Sequence, residues 1–94
     1  MAQEISHYLG RPIRLQAVNR SRNIARRYVI EASRDLFGAV IVDYGWGRIG
    51  TRGQSRVISF QCDDDAERFV RTLLRRRASA QQRLGVAYCE VHDS

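Results

Sequence analysis

From Ile13 to Val18 the apolar side chains Ile13, Leu15 and Ala17 alternate with Arg14 and Gln16, the period-two pattern of a half-buried strand. The polar stretch Asn19-Arg20-Ser21-Arg22-Asn23 reads as a loop. A second alternation, Tyr28, Ile30 and Ala32 against Val29, Glu31 and Ser33, predicts a second strand, and Asp35 to Gly38 supplies a turn. The third strand, about Ala39 to Ile49, is predicted to send Val40, Val42, Tyr44, Trp46 and Arg48 to one face and Ala39, Ile41, Asp43, Gly45, Gly47 and Ile49 to the other. Gly50-Thr51-Arg52-Gly53 then makes a hairpin loop returning into a fourth strand near Gln54 to Gln61.

A helix follows. Asp64 and Glu67 have the spacing of a capping box, and Asp63 and Asp65 suit the positive end of the helix dipole. Ala66, Phe69, Val70, Leu73 and Leu74 recur at helical spacing on one face, with Arg68, Arg71 and Arg75 opposite as a solvated back. Arg75-Arg76-Arg77 suits the negative end of the dipole. Val86 to Val91 predicts a last short strand. Met1 to Gly10 reads as a flexible lead-in, and residues 11–94 as a single α+β domain: a small antiparallel sheet with one amphipathic helix packed on it. A chain of 94 residues devotes most of its ordered residues to one modest core, which favours binding at a surface over a deep active site.

Charge sharpens the picture. The net charge is +6, but Arg11 to Arg56 holds ten arginines against Glu31, Asp35 and Asp43, so the excess surrounds Trp46. A concentrated basic surface attracts polyanions, with nucleic acid first and anionic membrane second. All sixteen basic residues are Arg, which a G+C-rich coding bias also explains. The longest aliphatic run, Ala39 to Val42, is far short of the roughly 20 residues of a membrane-spanning helix. Together with the lack of an export signal, it predicts a cytoplasmic protein with no membrane partner.

Catalysis finds no support: no nucleophile has a base partner, and Asp63-Asp64-Asp65 is explained by the helix start. No cofactor or metal is expected. Cys62 and Cys89 are far apart in sequence and sit in short apolar stretches, which predicts reduced thiols in the core; His7 and His92 lack ligand partners.

Trp46 and Arg48 on one strand face, beside Arg52, form a pair that can stack on a base and hold a phosphate. Backbone N–H groups from Gly50 to Gln54 are a candidate anion nest. The glycines flanking Trp46 permit a bulge, a sharp twist or close approach of another backbone. A lone Trp between glycines is as often a core residue, so both readings stay open on these residues alone.

The segment Tyr44-Gly45-Trp46-Gly47-Arg48-Ile49-Gly50-Thr51-Arg52-Gly53-Gln54 resembles the signature of the WGR domain. Arg22-Asn23-Ile24-Ala25-Arg26-Arg27-Tyr28 is similar to the opening stretch of its bacterial form, and Asp35-Leu36-Phe37-Gly38 to its mid-domain turn. The resemblance covers roughly residues 18 to 88. It implies a compact antiparallel sheet with a packed helix. In poly(ADP-ribose) polymerases this domain binds DNA breaks, its Trp packing against the nucleotide near a strand end. Carried over, it implies a nucleic-acid surface of Trp46, Arg48, Arg52, Gln54, Asn23, Arg22 and Arg26, with DNA ahead of RNA. The rival expectation is a protein-interaction or regulatory module using the same Trp46 and Arg48 surface. Oligomeric state is left open.

Overall fold

The computed structural model describes residues 4–91; His92 lies outside them. Five strands form one antiparallel sheet: β1 Ile13–Asn19, β2 Ile24–Arg34, β3 Val40–Arg48, β4 Gln54–Phe60 and β5 Cys89–Glu90, in the order β4-β3-β2-β1-β5. The long helix α1 (Asp63–Ala78) and the short α2 (Ala80–Leu84) complete an α+β fold. The predicted strands β1, β3 and β4 match to within a residue or two. β2 begins four residues earlier than the alternation suggested, because Asn19 caps a short 3-10 turn at Arg20–Arg22 and Asn23, in the left-handed region at φ 55°, returns the chain directly into the sheet. The turn α2 carries no periodic signal and has no counterpart in the sequence reading.

Register explains where the core sits. Ile13, Leu15 and Ala17 of β1 stand opposite Ile30, Tyr28 and Arg26 of β2, which in turn face Tyr44, Trp46 and Arg48 of β3. Alternation puts all of them on one side of the sheet. α1 covers this side with Ala66, Val70 and Leu73; Ile30, Val40, Val42 and Val70 are fully enclosed.

Three expectations are corrected. Ile5 and Tyr8 are buried members of the core cluster, so part of the segment read as a flexible lead-in is packed: their apolar bodies close the cluster beside α1. α1 starts one residue before the supposed cap, after an extended Cys62 that makes no side-chain cap bond. Glu67 is accordingly not part of a capping box but accepts from Arg71 one turn on, 3.3 Å away, and Asp63 takes a two-pronged pair with Arg34 at 3.0 and 3.1 Å. Cys62 and Cys89 are free thiols but exposed rather than core, since one precedes a helix at the surface and the other sits on a two-residue edge strand.

The β2–β3 turn is tightly held. Asp35 Oδ1 accepts from the backbone N–H of Phe37 and Ala39, both at 2.9 Å, and Arg34 donates to the carbonyl of Gly38 at 2.9 Å. Gly38, at φ 87°, makes the reversal. Leu36 and Phe37, at its tip, are 98% and 92% exposed.

Candidate nucleic-acid interface

Trp46 lies on the helix-covered side of β3, yet α1 does not close over it. Its ring stacks on Tyr44, with centroids 5.8 Å apart and planes inclined at 26°, and Tyr44 in turn meets the edge of Phe69. Trp46 is therefore half-buried: one face is supported by the core's aromatic ladder and the rest borders an open groove of about 360 Å³. The two readings of the sequence meet in one residue.

Asn23, Ile24, Ala25, Arg26, Arg27, Trp46, Gly47, Arg48, Arg77 and Tyr88 line the groove. Four are arginines and none is a carboxylate. As the alternation predicted, Trp46 and Arg48 share a side, and the register pairs Arg48 with Arg26. Arg48 is anchored by donating to Asn23 twice, to Oδ1 at 2.9 Å and to the backbone carbonyl at 3.3 Å. A guanidinium has five N–H donors, so this anchorage fixes its plane and leaves donors over.

The glycines act through close approach. A Cβ on Gly47 would sit 2.8 Å from Gly53 Cα, and one on Gly53, at φ 67°, would collide with the carbonyl oxygen of Trp46. The hairpin loop thus folds tightly onto the Trp46 strand. Arg27, opposite Gly47 and so unobstructed by a side chain there, reaches the loop and donates to the carbonyls of Thr51 and Arg52. One backbone donor of the supposed nest, Thr51 N–H, is spent on Arg48 O at 3.0 Å.

Of the expected site residues, Trp46, Arg48, Arg26 and Asn23 come together in the groove. Gln54 stands opposite Trp46 on exposed β4 but is not part of the lining. Arg52 is exposed at the hairpin. Arg22 is not part of the lining and instead donates to Leu84 O at 3.3 Å, at the end of α2.

The sequence reading missed Arg77 and Tyr88. Arg77 is four residues beyond Leu73, so it continues the Ala66, Val70, Leu73 series and faces the sheet. Its guanidinium lies over the Tyr28 ring, 4.3 Å from the centroid, with the Tyr88 ring 5.8 Å away. Its Nε is buried and has no hydrogen-bond partner among the described residues. Burial pushes the Tyr28 phenol above its ordinary value near 10, while Arg77 pulls it down. Arg77 is thus a cation held by rings, with no carboxylate paired to it among the described residues, and it brings its charge to the groove.

No group of three or more metal-ligating side chains occurs among the described residues, and no helix among them is long and apolar enough to cross a membrane.

Residues 11–82 match the family described as WGR domain. An uncharacterized protein, y4dW, of Sinorhizobium fredii is 39% identical over 71 residues, covering 73% of this chain. The chain spans only 35% of that relative's length. No solved structure matches.

Proposed function

Because the chain belongs to the WGR domain family, we propose that it is a nucleic-acid-binding module that takes DNA at strand ends or nicks into the Trp46 groove. The observation that carries this reading is the lining: four arginines and two aromatic rings with no carboxylate, open to solvent along one side. An open, cationic, ring-bearing groove suits the end of a polyanion. A small neutral substrate would require a more enclosed pocket.

In this reading Trp46 presents its ring to a terminal base or sugar, backed by Tyr44. Arg48 and Arg26 meet the adjoining phosphates. Arg77 adds unneutralised charge from the helix side. Asn23 orients Arg48, and Arg27, itself in the lining, holds the adjacent hairpin loop. The module has no catalytic step of its own. The family's role in poly(ADP-ribose) polymerases, as a non-catalytic domain of nucleic-acid-binding type, supports the same assignment.

Trp46 is the only tryptophan, so its fluorescence reports on the groove directly. Titration with nicked duplex, blunt duplex, single-stranded DNA and an RNA hairpin at two salt concentrations tests the reading. The expected result is saturable quenching, strongest for nicked or ended DNA, with affinity falling steeply and linearly in log salt. No change with any of them at low salt overturns it in favour of a protein partner at the same residues.

A further inference from the structure

The fold does not account for Leu36 and Phe37. Two adjacent large apolar side chains, 98% and 92% exposed, stand on a turn held rigid by Asp35 and Arg34. Scattered exposed apolar residues are ordinary, but a rigid pair at the tip of a hairpin is a preformed anchor. Its surroundings narrow what it can enter. Asp35 and the first turn of α1, Asp63, Asp64 and Asp65, cluster at this end of the molecule, and Arg34 and Arg68 pair with only two of them, Asp63 and Asp65. Acidic surroundings oppose insertion into nucleic acid or an anionic membrane. They favour an apolar site with a basic rim.

Such a site exists on the chain itself. The groove of Trp46 and Tyr88, rimmed by Arg26, Arg48 and Arg77, occupies the opposite end of the same β2–β3 hairpin. The register fixes this geometry: Arg26 pairs with Arg48 at one end of the hairpin and Arg34 with Val40 at the other, about eight residues or roughly 26 Å away. A rigid hairpin cannot bring its own tip to its own groove. We propose that the Leu36–Phe37 tip of one molecule docks in the Trp46–Tyr88 groove of a second copy, head to tail, acidic end against basic end.

A contact of this kind is heterologous, so nothing in it stops at two molecules, and concentrated protein forms short chains. Two anchors and a charged collar make a small interface. Association is therefore weak, appearing in the range of roughly 0.1–1 mM and lost on dilution. The proposal concerns the groove's shape and charge and stands apart from its binding of DNA, although both occupants would compete for it.

Sedimentation velocity on nucleic-acid-free protein, from low to high concentration, is the test. Wild type should sediment faster as concentration rises, and less so at high salt. The double substitution Leu36→Ser with Phe37→Ser removes the tip, and Arg26→Glu, at an exposed position, spoils the groove; each variant alone should remain monomeric with an unchanged circular dichroism spectrum. Mixed together, one intact groove and one intact tip should restore a single contact, giving a complex that ends at one copy of each. Monomeric wild type throughout overturns the proposal, as does a tip variant that associates like wild type or a mixture that forms no heterodimer. Phe37-dependent binding of monomeric wild type to phosphatidylserine vesicles would likewise overturn it and assign the tip to a membrane. No DNA is present in the sedimentation runs, so their outcome and that of the fluorescence titration fail independently.

Discussion

Val40, Val42, Tyr44 and Trp46 lie on the same face of the same strand, under the same helix, yet the first two are fully buried and the last borders an open groove. The difference lies in what α1 offers above each. Over the first part of β3 the helix presents Ala66 and Val70, which close the core. Over the last part it presents Leu73, Arg76 and Arg77, whose long charged ends keep to the surface and leave the indole partly uncovered. One periodic strand thus yields a closed core at one end and an open groove at the other. The sequence change responsible sits on the helix, not on the strand.

Substitutions at the two ends of this comparison should separate stability from binding. Ile30→Ala, in the closed part on the neighbouring strand β2, is expected to cost about 2–5 kcal/mol of stability in urea unfolding while the folded fraction binds ligand unchanged. Trp46→Ala should do the reverse. Its unfolding free energy should fall by less than the about 3–5 kcal/mol typical of a fully buried Trp, and its affinity for nicked DNA by about 1–3 kcal/mol, read by fluorescence anisotropy of a labelled duplex. Equal losses of stability at both positions would show that Trp46 is core. Gly53→Ala tests the close approach of the hairpin loop: a side chain at φ 67° pressed on the Trp46 carbonyl should cost about 1–3 kcal/mol in thermal unfolding.

The smallest effect concerns the far end. Hydrogen bonding from Arg34, chiefly, and its positive charge hold the Asp63 carboxyl below its ordinary value near 3.8. A depressed folded value means the pair stabilises the native state above that ordinary value, and the contribution disappears as pH falls through the lower folded value. Asp63 is exposed, so the effect is slight. Asp63→Asn should flatten only the most acidic limb of the stability–pH curve and leave DNA binding untouched, measured by urea midpoints from neutral pH downward.

The sheet was legible in the sequence because alternation is a property of single strands. Ile13, Leu15 and Ala17, or Val40 to Arg48, announce their two faces without knowledge of any neighbour. What depends on distant partners was not. Asp64 and Glu67 have capping-box spacing, but Arg34, twenty-nine residues before Asp63, decides how that helix start is used. Ile5 and Tyr8 have no periodic context, and only the closed core reveals their place. Of the residues lining the groove, Trp46 and Arg48 were legible as one strand face, and Arg26 and Asn23 through the resemblance to a known family. Arg77 was hidden by an adequate local explanation, the helix dipole, although its spacing from Leu73 already put it on the buried side. Tyr88 falls within the predicted last strand and directly precedes the two residues of β5, but a strand pattern does not tell that its side chain borders Trp46.

The two cysteines offer a way to observe the molecule at work. Cys62 is exposed beside the acidic start of the helix, whose Asp63 pairs with Arg34, and Cys89 is exposed next to Tyr88, level with Arg27, so the unaltered chain carries one exposed thiol towards each end of the β2–β3 hairpin. Spin labels attached at each in turn would report, by line broadening, which pole is immobilised by a given ligand. Single replacement of either thiol by serine is all the engineering required.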